Sequence, residues 1–292
     1  MDVIKYLLDQ EDFVEGQLLQ PLDARSLGLK MADLYECWDG PAGFDLPAIT
    51  AEFLRRLDQL DSPVGATCLH LAAELERWGG HDYHSARHHA EVATNAMILT
   101  EHAVARANPF SNQQRALLLA AGLAHDIYFD PTSSSKDSRF EAERQAAAAL
   151  ETAALLCGVP APERATLRDL ILATEPGFRI QLSALLRGEL DIAAEAELCI
   201  PANQPMAAMA GVLSDADLLS SVGLTMDWHL KQLHRLEREL GRLISPAEDL
   251  RFFEAIVGPD FLSSGGRVFS ENLNRIRELV RQDSDLVSDG KT

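Results

Sequence analysis

The sequence predicts an all-α fold, and three observations carry that reading. The chain is rich in Ala, Leu and Glu, all good helix formers. Only 6% of its residues are aromatic, although 47% are hydrophobic. No run of alternating β-branched residues marks a strand. The 292 residues suffice for a large core and for one or two domains.

The elements follow in order. Helical pieces are expected near 2–9 and 24–36, then a loop at Asp39-Gly-Pro-Ala-Gly-Phe-Asp45. Pro47 suits the first turn of the next helix, whose apolar stripe is Phe53, Leu54, Leu57 and Leu60. Asp61-Ser-Pro-Val-Gly65 breaks it, and a helix over about 65–77 ends at Trp78-Gly-Gly80. A long helix should run from about His84 to Ala107, stopped near Asn108-Pro109. Its positions Val92, Ala96, Ile98 and Leu99 point to burial. Ser111 looks like the cap of the helix after it. Further helices are expected at about 139–156, 162–174, within 177–200, and at 205–221, 222–241, 246–257 and 269–282. The last carries Leu273, Ile276 and Leu279, and the polar tail from Asp283 should fray.

The chemistry centres on Gly122-Leu-Ala-His-Asp-Ile-Tyr-Phe-Asp130. It overlaps the apolar run Ala116–Ala124, which reads as a buried helix ending at His125-Asp126. A dry site disfavours an aspartate and a titratable histidine unless something pairs them. A divalent metal would pair them, since imidazole and carboxylate both ligate zinc, manganese and iron. Upstream, His81-Asp-Tyr-His-Ser-Ala-Arg-His-His89 supplies His84 and His88, four apart and on one face if helical. Downstream, Asp215 and Asp217 are two apart, so at most one enters a given site.

In chain order the candidates are His88, His125, Asp126 and Asp217. This set resembles that of the HD-domain metal-dependent phosphohydrolases, with a His on one helix, a His-Asp pair ending another, and a distant Asp. Tyr83-His-Ser-Ala-Arg-His88 is similar to the Tyr-His-Asn-x-x-His motif of cyclic-nucleotide phosphodiesterases and small bacterial members, with Ser85 in place of Asn. Glu141-Ala-Glu-Arg-Gln-Ala-Ala147 resembles an Asn-Glu-x-x-Ser-Ala segment at Glu143 and Ala147, with Ala142 and Ala146 replacing Asn and Ser. The resemblance covers about 80–222. It implies a helical-bundle core there, preceded by an N-terminal elaboration (1–79) and followed by helices at 223–292 that pack on it. It further implies His84 as general acid and His88, His125, Asp126 and Asp217 as ligands of one or two divalent ions (Mn, Mg, Zn, Ni or Fe). Asp126 would bridge two ions, and Glu143 would orient the nucleophile or a water.

The implied activity is hydrolysis of a phosphoester in a nucleotide or other small phosphorylated metabolite. Such chemistry needs an activated water, charge neutralisation on phosphoryl oxygens and a proton for the leaving oxygen. A metal gives the first two and an imidazolium the third. Two alternatives stand beside it. A di-iron HD oxygenase needs further histidines, yet none occurs between His125 and His229. A non-catalytic HD sensor or scaffold commonly loses ligands, and all four are present. His70, His89, His102, His229 and His234 read as surface or structural residues, and His81-Asp82 as a loop or cap. Arg87, Lys136, Arg139 and Arg144 either attract phosphate or balance nearby acids. The pocket should draw on 130–138, 175–205 and the C-terminal helices.

A net charge of −19 argues against nonspecific binding to nucleic acid or anionic lipid. No segment approaches about 18 uninterrupted apolar residues, and the N-terminus lacks signal-peptide character. Cys37, Cys68, Cys157 and Cys199 are scattered and read as reduced core residues. A cytoplasmic location is expected. Oligomeric state is left open.

Overall fold

Polar caps and prolines set many of the helix starts in the computed structural model, which describes residues 23–39, 43–78, 80–104, 110–128, 140–189 and 204–289. Asp23 caps α1 (Ala24–Trp38) and Asp45 caps α2 (Leu46–Arg56), with Pro47 in its first turn. Ser62 Oγ accepts the Gly65 N–H at the start of α3 (Pro63–Trp78). Pro63, Val64 and Gly65 therefore begin a helix, where the sequence suggested they interrupt one. Proline costs nothing in the first turn, because its missing N–H has no helical partner there.

The centre is built by α4 (Ala86–Val104), α5 (Asn112–Ala124) and α9 (Gln204–Val222), which pack on one another. Ser111 and Gln114 close a reciprocal capping box on α5. Every residue of α5 from Ala116 to Ala124 is buried. Gly122 lets α4 come close, since a Cβ there would lie 3.2 Å from the Ala93 Cα. Around this centre lie α3, α6 (Glu141–Leu156), α7 (Ala161–Leu172) and α8 (Phe178–Leu186). Helix α10 (Met226–Leu240) packs on α9. A short α11 (Pro246–Phe252) runs into a π turn (Phe253–Val257) whose Phe253 carbonyl accepts the Gly258 N–H. Helix α12 (Ser270–Asp289) packs on α11 and on α1. One hydrophobic core runs through helices from α1 to α12. The fold is all-α, with twelve α-helices and no strand among the described residues. No single helix among them is long and apolar enough to cross a membrane.

Several boundaries differ from the sequence reading. Helix α4 begins at Ala86, so His84 sits in the bend before it. The cause is tertiary: the Glu239 carboxylate on α10 accepts the N–H groups of Tyr83 and His84 and holds them off the helix. Helix α12 continues through the tail expected to fray, as nothing before Gly290 breaks it. Its buried stripe is Leu273, Ile276 and Val280, because 3.6-residue periodicity turns Leu279 outward. Cys68 is buried, Cys157 half-buried and Cys37 exposed, so Cys37 is not the core residue expected. The expected helix at 2–9, the segments 130–138 and 190–203, and Cys199 lie outside the described residues.

The two acidic candidates on α9 part ways. Asp215 is fully buried and accepts from Arg179 Nη2 (2.9 Å), the N–H groups of Leu262 and Ser263, and Ser263 Oγ (2.7 Å). It ties α8 and the chain after the π turn to α9. Removing it strands a buried guanidinium, which typically costs about 3–5 kcal/mol. Asp215→Ala should therefore lower the unfolding free energy by that order in urea denaturation. A change near zero would show that Asp215 is not a structural tie.

Candidate metal centre

The buried α5 delivers His125 and Asp126 into the interior from its C-terminal turn. His88 reaches the same point from the first turn of α4, and Asp217 from α9. His88 Nε2 and His125 Nε2 lie 3.1 Å apart. His125 Nε2 is 3.2 Å from Asp126 Oδ2 and 3.4 Å from Asp217 Oδ1. His88 Nε2 is 3.4 Å from Asp217 Oδ1 and 3.9 Å from Asp126 Oδ2. All four side chains offer a ligand atom within 4.8 Å of the others.

The electrostatics of this cluster call for a cation. His125 Nδ1 lies 3.0 Å from the Gly122 carbonyl oxygen, which can only accept. Nδ1 therefore carries a proton, and Nε2 is the atom turned to the carboxylates. Burial opposes charge on the buried His125 and the half-buried Asp126 and Asp217, yet their mutual attraction prevails. Burial alone would lower the His125 pKa, but Asp126 and Asp217 raise it well above the ordinary imidazole range. Burial likewise opposes ionisation of Asp126 and Asp217, but the histidines hold both far below the usual carboxylate range. Two imidazole nitrogens and two carboxylate oxygens converging on a few ångströms fit a divalent ion such as zinc, manganese or iron.

His84 stands beside the cluster, its Nε2 3.6 Å from Asp126 Oδ2. Its Nδ1 is 2.5 Å from Glu239 Oε1. Glu239 Oε2 accepts the Tyr83 and His84 N–H groups at 2.8 and 2.9 Å, and the side chain is 1% exposed. Burial opposes ionisation of Glu239, but the bonds from His84 and these backbone donors hold its pKa below the usual range. An ionised Glu239 accepts from His84 Nδ1–H and leaves Nε2 facing the cluster. Sequence reasoning missed Glu239. Its one signal is register: it falls on the inward stripe of α10 with His229, Gln232 and Leu236.

His84, Asp126, Asp217 and Glu143 line one cavity of about 450 Å³. Burial, helped by the charges of Asp126 and Glu175, pushes the Glu143 carboxyl up to about 7. The cavity also draws on Pro176 and Arg179 and on α10 and α11, as expected for parts of 175–205 and the C-terminal helices, and on Thr174 just before that segment. Other candidates lie elsewhere. Asp82 pairs with Arg238, and Arg87 is held by Asp39 and Glu91. Arg144 pairs with Glu141, 3.7 Å away. His89 is fully buried against the rings of Trp78 and His125. His70 is half-buried and His234 exposed. Lys136, Arg139 and the His102 side chain are outside the described residues.

The architecture has known counterparts. The phosphodiesterase domain of Salpingoeca rosetta rhodopsin phosphodiesterase matches with a TM-score of 0.65 at 14% identity, covering 92% of this chain and 97% of that one. A second structure, the phosphodiesterase domain of the RhoPDE fusion protein from the same choanoflagellate, matches with a TM-score of 0.61 at 12% identity, covering 84% and 92%. At such identity the likeness is one of fold. No protein-family model matches the sequence, and no curated protein sequence matches it.

The raised Glu143 pKa has a measurable consequence in chelator-treated protein. Between its ordinary 4.5 and about 7 the folded state holds a proton that the unfolded chain releases. Stability from this group is present below pH 4.5 and is lost as pH rises toward 7. Across that window the wild type should lose more stability than Glu143→Gln. Parallel pH profiles for the two proteins would show that Glu143 titrates normally.

Proposed function

We propose that this protein is a metal-dependent phosphohydrolase acting on a phosphodiester of a nucleotide or another small phosphorylated metabolite. The observation that carries this reading is the convergence of His88, His125, Asp126 and Asp217 beside a cavity also lined by a fixed His84. The fold likeness to phosphodiesterase domains supports it. His88, His125, Asp126 and Asp217 are the residues that would hold the metal. A divalent ion bound there supplies a water of lowered pKa and neutralises charge on the phosphoryl oxygens.

The protein's own groups do the rest. As water adds to phosphorus and the P–O bond to the leaving group breaks, His84 Nε2–H gives its proton to the departing oxygen. Glu239 stabilises the imidazolium and fixes the ring through Nδ1, so Nε2 keeps its direction toward the cluster. Glu143, inside the cavity with a pKa near 7, accepts from or orients the attacking water. Tyr83 Oη lies 2.7 Å from Ser221 Oγ and its ring packs on His84 and His88, which steadies both imidazoles. Burial raises the Tyr83 pKa above its ordinary range, so the phenol stays neutral.

Elemental mass spectrometry of purified wild type and His125→Ala is the first test. One or two manganese, zinc, nickel or magnesium ions, lost in the variant, are expected, together with turnover of bis(4-nitrophenyl) phosphate. Two irons per chain would point instead to oxygen chemistry, and no metal after reconstitution would remove the enzyme reading. His84→Ala should keep its metal while kcat falls about 10²–10⁴-fold, the usual contribution of a positioned acid. Loss of metal from His84→Ala would overturn the division of roles.

A further inference from the structure

The lining of the cavity falls into two chemistries. Asp126, Asp217, His84 and Glu143 belong to the reacting part. Most of the remaining wall comes from α10, the 241–245 turn, α11 and the π turn, and presents Leu233, Leu236, Ile244, Phe252 and Ile256. Such a wall takes an apolar group. Of the lining arginines, Arg179 is buried and Arg242 exposed. Arg179 directs its donors to the Val257 carbonyl, Ser214 Oγ and Asp215. Arg242 bonds Glu248 and the Leu243 carbonyl.

A buried pair, His229 and Asp249, interrupts the apolar wall. His229 Nδ1 lies 2.7 Å from the Ser221 carbonyl oxygen, so Nδ1 carries a proton. His229 Nε2 lies 2.9 Å from Asp249 Oδ2, and two lone pairs cannot face each other at that distance. One proton therefore sits between them. Whether it rests on nitrogen or on Oδ2, the other oxygen, Oδ1, remains an acceptor. Among the described residues Oδ1 receives no hydrogen bond. The neighbouring polar groups are already engaged, since Gln232 is fixed by Glu91 and Arg235, and Glu248 by Ser245 and Arg242.

We infer that Asp249, oriented by His229, is the specificity-determining group of the cavity, and that it selects a substrate whose apolar portion presents an N–H donor. This deepens the phosphodiesterase reading and rests on it. A ligand amino group meets the free oxygen, whereas an oxo group or carboxylate at the same place sets lone pair against lone pair. A ligand with no donor leaves a desolvated carboxylate oxygen unpaired, the kind of loss that discriminates most sharply.

The test is equilibrium binding to metal-loaded protein of two matched ligand pairs. Adenosine and purine riboside differ by a heterocyclic amino group, and 2-phenylethylamine and ethylbenzene by an alkyl ammonium. The amino member of at least one pair should bind about tenfold tighter or more, as a hydrogen bond to a charged group provides. The pair that discriminates names the source of the donor. In the double variant His229→Phe/Asp249→Leu, which replaces both partners with apolar groups, the ratio should fall to near one. Its metal content reports that the fold stands, and if it binds no metal the isosteric Asp249→Asn must lower the same ratio. No preference in the wild type for either amino ligand, or a preference that survives the substitutions, overturns the inference. Failure of the wild type to turn over bis(4-nitrophenyl) phosphate would instead strike the phosphodiesterase reading, because the nucleoside and amine arms need no catalysis.

Discussion

Two carboxylates and two imidazoles share a space of a few ångströms because three packed helices leave them nowhere else to go. That confinement organises the protein. The chain must bring α4, α5 and α9 close enough for His88, His125 and Asp217 to meet. Small residues on α4 and α5, Ala93 against Gly122 among them, permit the approach. The apolar length of α5 holds the His125–Asp126 turn in place. Partly shielded from water at the head of the cavity, such a cluster is stabilised by positive charge among its carboxylates. The fold supplies the confinement, and the chemistry follows from it.

Helix α10 is the second organising element. On one face, Arg87 on α4 and Arg235 on α10 share Asp39 and flank the Trp228 ring, with guanidinium carbons 5.1 and 5.4 Å from its centre. This fastens α10 to α1 and α4 through cation–π and ionic contacts. Further along, the same helix presents Glu239 to His84 and His229 to Asp249. A rigid helix thus positions both His84 and the polar point of the cavity wall, and its docking fixes their separation.

The helices themselves were legible in the sequence because capping and periodicity are local. Ser111, Pro47 and the run Ala116–Ala124 announced their roles directly. His125 and Asp126 were legible because His-Asp after a buried helix is a costly juxtaposition, while His88 and Asp217 were picked out by the resemblance to the HD pattern. What could not be read was any partnership set by tertiary approach. Glu239 lies 155 residues from His84, and its carboxylate holds the bend in which His84 stands outside its helix. Spacing alone does not tell Asp215 from Asp217; the resemblance favoured Asp217, and the burial of Asp215 against Arg179 and Ser263 could not be read from the sequence. The pairing of His229 with Asp249 was hidden in the same way, as was the outward turn of Leu279.

The π turn at Phe253–Val257 lies on the cavity side opposite to this conservatism. Its wide i→i+5 closure sends Phe252 and Ile256 toward the cavity while Phe253 and Val257 enter the core. A π turn differs from an α turn by a single residue. Loss of one amino acid there would wind the segment back into regular helix and rotate every side chain after it by about 100°. Of the cavity lining only Ile256 belongs to this turn, whereas the residues that follow it, Leu262 and Ser263, hold Asp215 on α9. A one-residue change at this turn would therefore reach past the cavity wall and pull on the helix that carries Asp217.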